Sequence, residues 1–149
     1  MLSLRNLMTN NPFTLDRRNT IPAEYEGILF KGISDYAFHE KGLPPIQPFS
    51  IFIKDQKQTV LGGVSGVTFY GSLYIDSLWI DKTIRHQGWG TKLMREAEKI
   101  GKERGASFVT LNTMDWEGLS FYQKLGYSIE FVREGYDKDS KMYMLRKAL

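Results

Sequence analysis

Arg85-His86-Gln87-Gly88-Trp89-Gly90 is the stretch that decides the fold, because it stands between a predicted strand and a predicted helix. The first backbone N–H groups of a helix have no partners within the helix, and the helix dipole makes that end positive. Glycine at this point lets a phosphate approach the main chain without a Cβ in the way. The segment is therefore built to hold a pyrophosphate, with Arg85 or Lys92 available for a further phosphate. A tight strand-to-helix turn without a ligand is the alternative interpretation.

Two better-known phosphate-binding loops are excluded at this segment. A Walker loop ends in Gly-Lys-Ser/Thr, whereas the order here is Gly90-Thr91-Lys92. A dinucleotide-binding fingerprint requires a third glycine, and Leu93 occupies that position. The segment therefore predicts a phosphate site of neither kind.

Periodicity predicts the elements on either side of the segment. Before it, alternating apolar residues predict an antiparallel meander of three strands, the first with Phe49, Ile51 and Ile53 on one face and the others at about 59–70 and 72–81. After it, the sequence predicts a helix over about 88–104 ended by Gly105, and a buried strand over 107–112. A short helix over about 116–125 is closed by Gly126, and two strands follow over about 127–133 and 141–147.

The N-terminal third is predicted to be mainly helical. Phe13 to Arg17 could form a short opening strand. Thr20 is a plausible cap for a helix over about 22–40, and Gly32 marks a kink or a break in it. Together the elements predict one domain over 1–149, a mixed, mostly antiparallel α/β sheet flanked by helices.

Composition excludes several classes of protein. The chain has no cysteine, which rules out disulfides, thiolate metal sites and a cysteine nucleophile, and its two histidines have no metal-ligand spacing. No apolar run approaches the roughly 18 residues of a membrane span. The net charge of +3 is mild, and the aromatic residues do not interleave with Lys and Arg as in a nucleic-acid platform. We therefore expect a cytoplasmic protein that binds neither nucleic acid nor membrane.

Two motifs resemble those of one family. The pattern Arg85-x-x-Gly88-x-Gly90, after Leu78-x-Ile80 on a strand, resembles the acetyl-CoA motif of the GCN5-related N-acetyltransferase (GNAT) superfamily. Downstream, Phe121-Tyr122-Gln123-Lys124-Leu125-Gly126-Tyr127 is similar to the second signature of that family. The two motifs have the usual order and separation, and the similarity is clearest over about 60–147.

The resemblance implies a V-shaped slot, where the third and fourth strands diverge, for acetyl-CoA or coenzyme A. The pantetheine arm would pair with the main chain near Leu78, Trp79 and Ile80. The pyrophosphate would lie on the turn and the start of the helix, with Asn112 and Asp115 near the pantetheine. The cofactor-binding residues of the turn would be Arg85, His86, Gln87, Gly88, Trp89, Gly90, Thr91 and Lys92.

The resemblance also implies direct attack of an amine on the thioester, with Tyr122 as proton donor to the departing thiolate and as part of the cofactor site. On a helix the face neighbours of Tyr122 are Gly118 and Gly126, so the phenol could lie open to a ligand. A tyrosine packed on the sheet is the alternative. Asp76 is a candidate general base, because alternation along the strand puts it on the same face as Tyr74, Leu78 and Ile80. A carboxylate that is hydrogen-bonded for structural reasons is the alternative.

The predicted function is an N-acetyltransferase acting on a primary amine of a small molecule or peptide, as a monomer or homodimer. A non-catalytic acyl-CoA-binding or regulatory domain on the same fold is the alternative. Tyr122 and the intact pair Gly88 and Gly90 favour the enzyme.

Overall fold

The computed structural model describes residues 12–149, and within them the chain forms six β-strands and three α-helices. The strands are β1 (Gln47–Lys54), β2 (Val60–Phe69), β3 (Ser72–Ile80), β4 (Phe108–Met114), β5 (Ser128–Arg133) and β6 (Met142–Ala148). The helices are α1 (Ala23–Lys41), α2 (Trp89–Glu103) and α3 (Leu119–Lys124). No helix of this part of the chain is long and apolar enough to cross a membrane.

The strands form one sheet in the order β1-β2-β3-β4-β6-β5. The pairs β1–β2, β2–β3, β4–β6 and β5–β6 are antiparallel, and only β3–β4 is parallel. Helix α2 makes the crossover between the two parallel strands, because parallel neighbours need a long connection. The predicted mixed, mostly antiparallel sheet is confirmed.

The parallel pair β3–β4 is short, and the two strands then separate. Pairing covers Ser72–Ile75 against Phe108–Leu111 and stops there. Beyond it, Ser77–Ile80 is paired with β2 on one side only, and Asn112–Met114 with β6 on one side only. We call the opening between these unpaired edges the fork. It is the V-shaped slot that the resemblance implies.

The core lies on one face of the sheet, beneath α2 and α3. Leu93, Met94 and Ala97 of α2 are buried against this face, as their helical spacing predicts. The strands contribute to the same cluster with Val64, Leu73, Ile75, Val109, Leu111 and Leu145. Burial of each large apolar side chain contributes about 1.5–3 kcal/mol, so this face fixes how α2 and α3 sit beside the fork.

The N-terminal predictions need three corrections. Phe13–Arg17 is not a strand: residues 12–18 have no regular structure, and Leu15 is fully exposed, so strand pairing would bury little apolar surface there. Helix α1 is capped by Pro22, without a side-chain cap, rather than by Thr20. Gly32 does not break it, since the helix runs without interruption to Gly42, whose left-handed backbone (φ 66°) ends it.

Helix α3 is shorter than predicted, while the start and end of α2 agree with the prediction. Residues 115–118 form a turn, because Thr113 Oγ1 accepts a hydrogen bond from the N–H of Gly118 at 3.2 Å and α3 begins only at Leu119. Gly105 and Gly126 have the predicted left-handed backbone, with φ of 83° and 95°.

Candidate active site

The N-terminus of α2 opens beside the fork with its backbone donors unused by the helix. Gly88 is the N-cap, in a left-handed conformation with φ of 83°, and the first helical hydrogen bond runs from Lys92 N–H to Gly88 O at 3.1 Å. The amides of residues 88–91 precede that bond and therefore have no carbonyl partner within the helix. No side chain caps the helix and no acidic residue lies in its first turn. The helix start therefore suits an anion.

The side chains of the turn are held at its edges. Arg85 Nε donates to Ile80 O at 2.9 Å, which ties the turn to the end of β3. Lys92 Nζ lies 4.5 Å from the centroid of the Trp89 ring. His86 and Gln87 are exposed, and His86 has a positive φ of 61°. The turn thus combines backbone donors with two cations, which fits a diphosphate, and it continues directly from the β3 edge of the fork.

Gly90 joins this helix start to α3. A Cβ added at Gly90 would lie 3.2 Å from Cζ of Phe121, closer than ordinary van der Waals contact. The glycine therefore serves the packing of α3 against α2 as well as access to the main chain. The sequence motif alone indicates only the second role.

Tyr122 has a buried ring and an accessible oxygen. The residue is 9% exposed, and its Cε2 lies 3.1 Å from the place where a Cβ on Gly118 would be. Among the described residues, none hydrogen-bonds to the Tyr122 hydroxyl. Every side-chain polar atom of these residues that is fully shielded from solvent does have a hydrogen-bond partner. The oxygen therefore retains solvent contact. Gly118 makes room for the ring as predicted, but Gly126 does not, because it lies beyond the end of α3 beside Lys147.

Burial and a nearby carboxylate keep the phenol protonated. Burial, with a smaller contribution from the charge of Glu117, raises the pKa of Tyr122 to about 12. Thr113 Oγ1 lies 3.4 Å from Oε2 of Glu117 and so holds this carboxylate in the turn before α3. Sequence reasoning missed Glu117, since a longer helix was predicted across this turn.

Asp76 lies at a β-bulge where the fork begins. Ser77 pairs with Ser65 and Ile75 pairs with Gly66, so Asp76 has no counterpart on β2. The extra residue breaks simple alternation. Leu78 pairs with the core residue Val64, so it lies on the core face and not on the face of Tyr74. The prediction that Asp76 and Tyr74 share a face with Leu78 and Ile80 is therefore wrong.

Polar side chains lie near the exposed carboxylate of Asp76. Ser77 Oγ donates to Asp76 Oδ2 at 3.2 Å, and Asn112 Nδ2 donates to Tyr74 Oη at 3.5 Å. Burial raises the pKa of Tyr74, and the charge of Asp76 raises it further. Asp76 and Asn112 are the first residues beyond the paired parts of β3 and β4. Tyr74 was not among the predicted site residues, although its alternation with Asp76 was the signal for it.

The remaining predicted residues lie along the two arms of the fork. Leu78, Trp79 and Ile80 form the end of β3, and Trp79 is 53% exposed. Asp115 follows β4, where its N–H donates to Lys141 O at 2.9 Å. The structure thus brings the β3 residues, Asn112 and the turn at 85–91 around one opening, with Asp115 at the end of its β4 arm.

Known proteins share this sequence and this fold. The chain is 28% identical over 106 residues to acetyltransferase Atu2258 of Agrobacterium fabrum, covering 71% of this chain and 77% of that protein. It is 26% identical over 106 residues to the blasticidin-S acetyltransferase of Streptomyces morookaense, covering 70% and 78%. An acetyltransferase crystal structure from Bacillus cereus superposes with a TM-score of 0.72 at 26% identity, covering 90% of this chain and 98% of that one.

The family assignment rests on a longer stretch than either motif. A crystal structure from Agrobacterium tumefaciens shares the fold with a TM-score of 0.77 at 23% identity, covering 92% of this chain and all of that one. The model of the acetyltransferase (GNAT) family matches residues 18–127, more than two thirds of the chain. This stretch contains the fork, the turn before α2 and both motifs. The chain therefore belongs to the GNAT family of acetyltransferases, whose acetyl donor is acetyl-CoA.

Proposed function

We propose that this protein transfers the acetyl group of acetyl-CoA to a primary amine of a small molecule or peptide, by direct attack within the fork. The observation that carries the proposal is the separation of β3 from β4 after Ile75 and Leu111. Different functional groups lie on the helix side of this opening and at the point where the strands separate. The diphosphate-binding turn and the phenol of Tyr122 belong to the α2–α3 side. The Asp76 carboxylate lies at the bulge where the strands separate.

The residues that would hold acetyl-CoA follow from this arrangement. The amides of residues 87–91 would bind the pyrophosphate, with Arg85 and Lys92 near its phosphates. The free edge at Leu78–Ile80 offers main-chain partners for the pantetheine amides, and Asn112 and Asp115 line the other arm. When bound, acetyl-CoA supplies an activated acyl group as a thioester.

Two side chains would handle protons. No Lys, Arg or His among residues 12–149 pairs with Asp76, so its exposed carboxylate is available to a cationic acceptor. It would accept a proton from the ammonium group, directly or through water, and leave the free amine as nucleophile. The phenol of Tyr122 would protonate the departing sulfur as the carbon–sulfur bond breaks, and the second proton that the nitrogen loses as the amide forms would return to the phenolate through water. Since the chain has no cysteine, no thiol-bound acyl enzyme forms.

The surroundings of Asp76 favour an acceptor that is cationic and carries a flat or apolar portion. The Tyr74 phenol is close enough for the charge of Asp76 to raise its pKa, and Trp79 presents an exposed indole further along the same strand. A relative is named as an acetyltransferase of blasticidin S, and a structure that shares only the fold is named nourseothricin acetyltransferase. We therefore add antibiotic amines to polyamines, amino acids and peptides as acceptors to test.

The test is release of coenzyme A thiol from acetyl-CoA in the presence of each acceptor in that panel. We expect at least one amine to raise the rate far above hydrolysis without acceptor, with a matching mass increase of the amine by one acetyl group. If acetyl-CoA binds but no amine accelerates thiol release, the non-catalytic acyl-CoA-binding domain becomes the better description. Acetylation of a hydroxyl acceptor only would overturn the assignment to amines.

A further inference from the structure

A partly buried ionic cluster links α2, the residue Tyr127 that follows α3, and β6. Tyr127 Oη donates to Glu98 Oε1 at 2.9 Å, and Lys147 Nζ donates to the two oxygens of Glu98 at 3.0 and 3.1 Å. Tyr127 is 3% exposed, and the side chains of Glu98 and Lys147 are 13% and 28% exposed. Burial at this depth makes the hydroxyl bond and the ion pair well defined, because leaving either group unpaired is costly.

The cluster touches the active site through a single ring. The rings of Tyr127 and Tyr122 pack edge to face, with centroids 5.9 Å apart and planes at 71°. The N–H of Tyr127 also donates to Tyr122 O at 3.1 Å. The Tyr122 ring also packs edge to face against Phe121, with centroids 5.1 Å apart. The Tyr122 ring therefore packs against two neighbouring rings. Of these two, only Tyr127 has a hydroxyl, and that hydroxyl is bonded to Glu98 of α2.

The Tyr127 hydroxyl is not needed to neutralise the cluster. Lys147 already contacts the two oxygens of Glu98, so the ion pair would persist with phenylalanine at position 127. The hydroxyl instead fixes the tilt of the Tyr127 ring relative to α2. Because close-packed rings transmit small shifts, that tilt sets the place of the Tyr122 ring against it.

We propose that Tyr127 is a positioning residue: its hydroxyl, held by Glu98, keeps the Tyr122 ring in the one orientation that directs the phenol into the fork. The inference rests on the proposed acid role of Tyr122. Tyr127 does not contact substrate and acts only through its neighbour. The shift of an acid group by a fraction of an ångström is enough to slow a proton transfer.

The experiment is a double-mutant cycle on kcat with Tyr127→Phe and Tyr122→Phe. Tyr127→Phe should lower kcat about three- to tenfold, with KM for acetyl-CoA within about twofold of wild type. In the Tyr122→Phe background the same change should have no further effect, because no phenol remains to be positioned. Tyr136→Phe is the matched control: it removes a tyrosine hydroxyl that donates to Met142 Sδ at 3.4 Å, outside this cluster, and kcat should stay at the wild-type value.

The outcomes separate this inference from the proposed function. If Tyr122→Phe keeps full kcat, the acid role itself is wrong and the inference goes with it. If Tyr122→Phe slows turnover but Tyr127→Phe does not, only the positioning role is overturned. Full multiplication of the two losses in the double variant, or an equal loss of kcat in Tyr136→Phe, would overturn the positioning role of Tyr127.

Discussion

At the scale of the residue, Tyr122 separates packing from chemistry within one side chain. Tyr122→Phe keeps the buried ring and removes only the accessible oxygen, so stability and acetyl-CoA binding should change little. A phenol with a pKa of about 12 is a weaker acid than an alkyl thiol of about 8.5, so acid catalysis should fall at the low end of its usual range. We expect kcat and kcat/KM to fall together by about 10²-fold in steady-state assays. Full kcat with a lower melting temperature would make Tyr122 a packing residue.

The raised pKa of Tyr122 also predicts how stability depends on alkaline pH. In the unfolded chain the phenol ionises near pH 10, whereas in the folded protein its pKa is about 12. Below pH 10 this ionisation does not change the free energy of unfolding, and from pH 10 to 12 it lowers that free energy by an amount on the order of 2–3 kcal/mol. Urea unfolding from pH 9 to 11 should show this decline, and it should be shallower in Tyr122→Phe. Equal slopes in the two proteins would contradict the raised pKa.

At the scale of the element, the bulge in β3 puts Asp76 at the opening of the fork. Asp76→Asn should slow turnover chiefly at low pH, because a base is needed only while the acceptor amine is protonated. At pH above the amine pKa the variant should approach wild type in initial-rate assays. Asp139→Asn, the same change in the exposed turn before β6, is the control and should match wild type throughout. An equal loss at every pH would assign Asp76 a structural role.

The same element shows what sequence can and cannot predict. The bounds of α2 were predictable because its apolar spacing, Gly88 and Gly105 are local signals. The bulge was not, since it appears only in the register of β3 against β2. Alternation therefore predicted the wrong face for Leu78. The late start of α3 depends on Thr113, a buried hydroxyl that meets Gly118 only through the tertiary fold.

At the scale of the whole molecule, the predicted site residues come from separate parts of the chain and meet where β3 and β4 separate. Their motifs could be found by local pattern, and the topology then brings them together. The point of separation could not be predicted, because the end of pairing between β3 and β4 depends on residues that are far apart in the chain. Glu98 and Lys147 were missed for a similar reason, as each looks like a surface charge until the fold buries it.

A ligand bound across this fork should stabilise the entire fold. A ligand at about 100 times its dissociation constant adds roughly 2.7 kcal/mol to stability, which for a chain of this size raises the melting temperature by about 5–10 °C. We expect acetyl-CoA and coenzyme A to do so in thermal unfolding, and NAD and ATP not to. No shift at millimolar acetyl-CoA would contradict binding at the fork.

Gln87→Glu tests whether the N-terminus of α2 binds the phosphates of acetyl-CoA. The variant should affect the stability of the free protein and the stabilisation by acetyl-CoA in opposite directions. A carboxylate beside the N-terminus of α2 interacts favourably with the helix dipole, by about 0.3–1 kcal/mol, so the protein alone should melt at the same or a slightly higher temperature. The same charge repels a pyrophosphate, so the shift caused by acetyl-CoA should shrink by more than half. Gln56→Glu, an identical change in the turn between β1 and β2, should keep the full shift. If both variants keep it, the phosphates do not bind at this helix start, whereas loss in both would indicate only a long-range effect of net charge.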